Sequence, residues 1–485
     1  MEKNVELTTI SNIHSVQDQA EEKTSSFEGL QFSSGQSEDW AVGESIPKRN
    51  VGVWQLASLV YLLTAGGGYG LEPLVGAAGP LPAIIGILIF PWIWSVPQAL
   101  MTAELSTMFP KDGGFVLWVY EAFGSFCSFQ VGWWTFVDSL VDNALLPRLF
   151  SDYLSVIIGN NSISRWWTTL GGIVILSFCT ALNVIGLHMV GWASVLFTIF
   201  VCFPFLLLAL MGIPRASPQV WLSFRGWKQS HWRLYFASLL WNLCGYDSAG
   251  TCAGEVRNAS KTYPKAILLS CAMGIVSFLL PILSTVTYNQ NWELWTDAFW
   301  PRACNQVVDG RWLGYWIALG GIISSVGMLN SLLATSSRAL YGMVICGLLP
   351  KHLGYLHSMY ATPIFCILLV SLGTAFCSIF SFESLLQVDS VLYSLKLALE
   401  LCSFIGLRYS QGHLLRPFRV AGGKKVVWLL VVSGLFCCCG MIMLSNWVAA
   451  MTCVVMIVLG IVLYLTFQKL GCIMMHSVVP TTTTV

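Results

Sequence analysis

Four groups of residues in this 485-residue chain place acids where acids are costly to keep. Asp138 and Asp142 are four residues apart on one helical face, with Trp134 and Val131 continuing the stripe. Two like charges one turn apart repel, so the pair favours a cation or a shared proton between them, with structural pairing to Arg148 as the plain alternative. Asp247 lies within Trp241-Asn242-Leu243-Cys244-Gly245-Tyr246-Asp247-Ser248-Ala249-Gly250. A carboxylate there can meet an ammonium group, carry a proton, or cap the helix that follows. Trp241 and Tyr246 offer aromatic faces to a cation. Asp389, Tyr393, Lys396 and Glu400 follow helical spacing along one stripe. Lys396 and Glu400 can neutralise each other as an i,i+4 pair, or the set can serve in coupling or gating. In Ala65-Gly66-Gly67-Gly68-Tyr69-Gly70-Leu71-Glu72, glycines surround a tyrosine and let the backbone approach a ligand without a Cβ; close helix packing is the other use of such a stretch. Glu72 stands either in an outer mouth or in solvent, and Glu255 is expected to pair with Arg257.

The elements that must hold these groups are membrane helices. The chain is 55% hydrophobic and only 10% charged, with mean hydropathy +0.69, whereas soluble domains carry about 25% charged residues. Long apolar runs recur at about the 20 residues needed to cross a bilayer. About twelve spans are expected, at 52–76, 80–105, 114–150, 168–187, 189–213, 232–254, 264–288, 312–346, 361–380, 383–407, 426–446 and 448–468. The fold class is therefore all-α and polytopic. Residues 1–50 hold nine acids against four bases and read as a disordered acidic tail, so the first span is expected to serve as its own insertion signal. With an even number of spans, and both termini cytoplasmic, fourteen Lys and Arg fall on the inner side against eight outside. Asn160 of Asn160-Asn161-Ser162 is then an external glycosylation acceptor. Residues 469–485 form a cytoplasmic C-terminal tail whose Thr483-Thr484-Val485 resembles a PDZ ligand. The cysteines fall mostly in apolar spans and read as small buried hydrophobes. No metal or cofactor pattern emerges, and the net charge of +1 points to no nucleic-acid partner.

Unwound backbone at membrane depth is tolerated only where protein covers it or a watery cavity meets it. The first and sixth spans are the interrupted ones, five apart. That spacing fits two inverted five-helix repeats, about 51–213 and 232–407, with two appended helices at 426–468, and a site where the breaks meet. The reading is a secondary transporter rather than an enzyme, since no nucleophile–base pair stands inside the membrane.

At these residues the chain resembles the amino acid–polyamine–organocation superfamily, and within it the polyamine uptake permeases of plants and trypanosomatid protists. The resemblance covers roughly residues 50–430. It is carried by Ala65 to Glu72, Pro91-Trp92-Ile93-Trp94-Ser95-Val96-Pro97, Thr102-Ala103-Glu104-Leu105 and Phe109-Pro110-Lys111-Asp112-Gly113-Gly114. Asp142-Asn143-Ala144-Leu145, Gly186-Leu187-His188-Met189-Val190-Gly191, Trp241-Asn242-Leu243 and Ala253-Gly254-Glu255-Val256 continue it. The resemblance implies a LeuT-like fold with broken first and sixth helices. It implies substrate contacts at Gly66, Gly67, Gly68, Tyr69, Gly70, Trp241, Asn242, Tyr246 and Asp247, with the third span and Tyr393 closing the pocket. Against the plant pattern, this chain has Val131 where a glutamate is often found, Asp138 in place of a small residue two turns on, and Lys396 in place of another.

The expected function is import of polyamines such as putrescine or spermidine at the plasma membrane by proton symport, the proton gradient being the driving force. A polyamine presents ammonium groups separated by methylenes, so its site needs carboxylates at two depths with aromatic walls between them. Asp138, Asp142, Asp247 and Glu400 can supply the acids, and Trp134, Trp241, Tyr246 and Tyr393 the walls. Two alternatives remain open here. An amino acid permease would seat its substrate's carboxylate on the half-helix amides, and a nutrient sensor would bind without flux.

Overall fold

The computed structural model describes residues 48–159, 165–296, 298–379, 382–445 and 447–470. Among them the regular structure is helical: α1 (Val53–Ala65), α2 (Glu72–Ala78), α3 (Pro80–Ile93), α4 (Ser95–Met108), α5 (Phe115–Phe123), α6 (Ser125–Ile158), α7 (Arg165–Ile185) and α8 (Leu187–Gly212). Then come α9 (Trp232–Asn242), α10 (Ala259–Thr285), α11 (Trp300–Val307), α12 (Trp312–Ile345), α13 (Ile364–Cys377), α14 (Phe382–Ser410), α15 (Gly423–Leu444) and α16 (Trp447–Lys469). Seven helical stretches among the described residues are long and apolar enough to cross a membrane by length and composition. Each of the twelve expected segments falls on a helix or on an interrupted pair. Of the expected segments outside those seven, 52–76 and 232–254 are interrupted, while 168–187 and 361–380 hold the shorter apolar helices Thr169–Ile185 and Ile364–Cys377. Asn160, the tail through residue 47, and Thr483-Thr484-Val485 lie outside the described residues.

Lipid-facing stripes account for the apolar surface. On α8, Leu196, Ile199, Phe203, Leu206 and Leu210 are exposed at helical spacing, an arrangement that water would penalise at about 25 cal/mol per Å² and hydrocarbon does not.

The first expected span is broken where predicted. Gly66, Gly67, Gly68 and Gly70 all take positive φ, between 52° and 87°, so α1 stops and α2 restarts in a new direction. The break is packed from behind. A Cβ on Gly68 would lie 2.8 Å from the Ser277 carbonyl of α10, so glycine there answers a close backbone approach as well as a torsion. The Trp300 indole of α11 donates to Gly68 O at 3.1 Å, the Ser324 hydroxyl to Gly66 O, and the Asn242 amide to Gly70 O at 3.2 Å.

The second break follows α9. Gly245 has φ 96°, and a 3-10 turn covers Tyr246–Thr251. Its position is held by the joint between α3 and α4, where Trp94 leaves the helical region between Pro91 and Pro97. Trp94 Nε1 donates to Leu240 O at 3.0 Å and Ser95 Oγ to Leu243 O at 2.7 Å. The first adds a second donor to Leu240 O, which also accepts from Leu243 N, and the second meets a carbonyl beyond the last turn of α9.

Two expectations are corrected. The segment 114–150 is not one long span: Gly124, with φ 84°, separates the nine-residue α5 from α6. Glu255 pairs with Arg338 of α12 at 2.9 Å rather than with Arg257, because the chain turns away after the 3-10 segment and α12 packs on that face.

One end of the bundle is closed by buried ionic groups. Arg338 and Glu255 are joined there by Asp112, whose Oδ1 accepts from Gly254 N at 2.8 Å. Asn50 N and Val51 N both donate to Glu255 O. Beside them Glu104 is fully buried and binds Arg408, Arg416 at 3.1 Å and Val420 N at 2.8 Å.

Candidate cation-binding site

Both breaks open onto one cavity, walled also by α5, α6, α12 and α14. Of the residues singled out from sequence, Tyr69, Asp138, Asp142, Trp241, Asn242, Asp389, Tyr393 and Lys396 line it. Helical spacing brings Asp138 and Asp142 to it from α6, and Asp389, Tyr393 and Lys396 from α14. The two helices pack directly against each other, which closes the cavity on the side away from the breaks.

Lys396 does not pair with Glu400. Its Nζ lies 2.9 Å from Asp138 Oδ2, 4.7 Å from the centre of the Tyr393 ring and 5.6 Å from that of Phe115. The i,i+4 geometry on α14 was available, but the carboxylate from α6 lies within direct reach. Glu400 is fully buried one turn further on, off the cavity, and neither carboxylate oxygen has a hydrogen-bond partner among the described residues. Asp138 and Asp142 likewise do not pair with Arg148, which lies beside Asp152 at 3.4 Å near the far end of α6.

Asp247 is fully buried behind Tyr393 instead of lining the cavity. Tyr393 Oη donates to Asp247 Oδ1 at 2.7 Å and accepts from Gly245 N at 2.8 Å. Gln98 also meets this hydroxyl at 3.0 Å through the atom placed as Oε1, while its Nε2 has no partner. A hydroxyl has one proton, and it goes to the nearer charged oxygen. Turning the Gln98 amide over makes Nε2 the donor to this hydroxyl, which then gives its own proton to Asp247 alone. Asp247 does not cap the 3-10 turn: Gly245 occupies that position, and the second carboxylate oxygen accepts from Ser248 Oγ at 3.4 Å.

The remaining residues are second to the cavity. Gly66, Gly67, Gly68 and Gly70 shape the break from behind Tyr69, which itself donates to Ile317 O at 2.9 Å. Tyr246 packs with Tyr263 and Cys271 in a separate apolar cluster. Trp134 packs with Val391, Leu392 and Cys453 away from the cavity. Glu72 is neither solvated nor in an open mouth: it is fully buried, accepting from Gly70 N and Tyr153 Oη at 2.9 Å each. Sequence reasoning missed Phe115, Thr135, Ser139, Ser248, Thr335 and Met328, which also line the cavity. Small hydroxyl residues and a methionine on apolar helices carry no spacing signal to mark them.

Chemically, the cavity offers carboxylates from α6 and α14, aromatic rings, and hydroxyls from α6, α12 and the second break. Carboxylates and aromatic faces together are a chemistry suited to positively charged groups.

The comparisons with known proteins agree with this architecture. A family model described as amino acid permease matches residues 51–470. A probable polyamine transporter of Arabidopsis thaliana is 37% identical over 430 residues, covering 87% of this chain and 88% of the relative. A polyamine transporter of Oryza sativa subsp. japonica is 37% identical over 378 residues, covering 77% and 70%. Cationic amino acid transporter 4 of Homo sapiens is 25% identical over 382 residues, covering 72% and 59%. With helices broken at both glycine segments, a cavity between them and a match spanning nearly all of the helical region, the chain belongs to the amino acid permease family of membrane transporters.

Proposed function

We propose that this chain imports aliphatic polyamines of the putrescine and spermidine class across the plasma membrane, coupled to protons. The observation that carries the reading is an ammonium group, that of Lys396, already seated between a carboxylate and two rings in a cavity that Asp142 and Asp389 also line. The cavity is built for alkylammonium groups. Relatives named as polyamine transporters over most of their length support the same cargo.

The amino acid reading is weaker for a local reason. An amino acid's carboxylate would seek the amides at the first break. There Gly66 N bonds Leu62 O, Gly68 N bonds Ala65 O, and Gly70 N bonds the carboxylate of Glu72. The chain's own acid occupies a seat that a substrate carboxylate would use.

In this reading Trp241, Asn242, Tyr69 and the cavity acids Asp138, Asp142 and Asp389 contact the cargo, Asp247 and Tyr393 tie the second break to it, and Glu400, off the cavity, serves proton coupling. The N-terminal tail through residue 50 and the segment 469–485 are cytoplasmic, the latter offered to a PDZ-type partner, and Asn160 is glycosylated outside. Residues 51–468 form the transporter domain, with repeats at about 51–213 and 232–407.

The test is uptake of labelled putrescine in cells deficient in polyamine transport. Accumulation should be competed by spermidine, resist arginine and leucine, and vanish when the pH gradient is collapsed at constant sodium. Competition by amino acids alone would remove the polyamine assignment. Binding without flux in proteoliposomes would mark a sensor, and sodium dependence would remove proton coupling.

A further inference from the structure

We infer that Lys396 occupies one ammonium seat of the cavity permanently and so sets the charge of the preferred cargo at two rather than three. The inference rests on the polyamine reading above and names the class within it, aliphatic diamines.

The contacts of Lys396 are those an alkylammonium cargo would make. Its side chain is 5% exposed, its Nζ is 2.9 Å from Asp138 Oδ2, and the Tyr393 and Phe115 rings lie on its flanks. A covalently tethered group competes for such a seat at high effective concentration, so a free amine does not readily displace it. Asp138 is not exhausted by this pairing: no donor among the described residues reaches its buried Oδ1, and its carboxyl lies beside that of Asp389, so the two together can receive a cation. Asp142 and Asp389 line the same cavity and form no ion pair among the described residues.

Three cavity carboxylates less one resident ammonium leave two negative charges to be balanced. A dication meets them. A third ammonium group would be desolvated opposite no free carboxylate, a buried charge without a partner, which is strongly unfavourable. Asp247 and Glu400 lie off the cavity, so neither is counted against the cargo, and both are common to every variant below. The role differs from a gate or relay: Lys396 need not move or lose its proton to act.

The experiment measures the ratio of spermidine to putrescine uptake efficiency in transport-deficient cells, with surface expression monitored. Lys396→Met should raise that ratio at least tenfold, because Asp138 becomes free to receive a third ammonium group. Lys396→Arg keeps the resident charge and should keep the ratio of the unmodified protein. Lys396→Met combined with Asp138→Asn removes the pair as a unit and should return the ratio to that of the unmodified protein. Where Lys396→Met fails to reach the membrane, Asp138→Asn alone and the double variant decide. The single change, which leaves one net negative charge, should depress spermidine uptake most, and the double change should restore the original ratio. An unchanged ratio in Lys396→Met overturns the inference, as does a double variant that favours spermidine. If the unmodified protein carries no amine at all, the transport reading itself has failed. If it carries amines and the ratio does not respond to charge, only the role of Lys396 has failed.

Discussion

Tyr393 joins one hydroxyl to three partners from three parts of the chain: the Gly245 amide, the Asp247 carboxylate and the Gln98 side chain. Removing it in Tyr393→Phe leaves the ring in place and strands a buried carboxylate and an amide. A hydrogen bond to a charged group contributes about 1.5–3 kcal/mol, so uptake efficiency should fall by roughly tenfold to a hundredfold. Surface expression should be near normal, because the loss falls on the cavity and not on the scaffold. Uptake within a factor of two of the unmodified protein would show that this hydroxyl is spectator to transport. At this scale the sequence was informative about membership and poor about partners. Asp138, Asp142, Asp389, Tyr393 and Lys396 were visible as a set because helical spacing projects them to common faces. That Lys396 would choose Asp138 over Glu400, or Glu255 choose Arg338 over Arg257, depends on which helices pack together, and neighbouring positions in a chain do not encode that.

The two breaks are made by different means. The first is a run of left-handed glycines wedged against α10, and the second is a single glycine followed by a 3-10 turn. Gly68→Ala tests the first. The new methyl group would meet the Ser277 carbonyl at 2.8 Å and would also hold alanine at φ 87°. Gly124→Ala is the control, with φ 84° but open space around its Cβ. Torsional strain alone costs on the order of 1–3 kcal/mol, so Gly124→Ala should show that cost and Gly68→Ala more. Thermal unfolding in detergent reads the difference, and equal shifts would mean that α10 yields without resistance. The existence of both breaks was legible, since glycine runs inside apolar spans have few other uses. Their support was not: Trp94, Ser95 and Trp300 reach the breaks from remote segments, and aromatic residues in apolar sequence look like ordinary packing. The separation of α5 from α6 was also hidden, because Gly124 lies in a sequence apolar on both sides.

At the scale of the whole molecule, closure of one end depends on acids and arginines that come from four separate stretches of chain. Asp112, in the loop between α4 and α5, has its carboxyl pushed up to about 8 by burial, with Glu255 adding to the effect and Arg338, the Gly254 amide and Arg49 opposing it. The folded protein therefore holds this proton more tightly than the unfolded chain does. That contribution to stability is fully present below the ordinary carboxylate range of about 4 and is lost as pH rises through about 8. Asp112→Asn keeps an oxygen for the Gly254 amide and removes the charge. Its unfolding midpoint should match that of the unmodified protein near pH 4 and exceed it above pH 8. A midpoint difference that does not vary with pH would show that this carboxyl titrates as it does in water. The placing of the apolar helices was readable from hydropathy alone, whereas this ionic closure was not, since its members look like ordinary loop and helix-end charges.

The indole of Trp300 reaches inward from α11, a short helix between two spans, to the carbonyl of Gly68. A residue of that connecting helix is thus wired to the unwound segment. An antibody or small molecule gripping the exposed Arg302, Asn305 and Gln306 of the helix should stall the carrier without ever entering the chamber, and amines added in excess should not relieve the block.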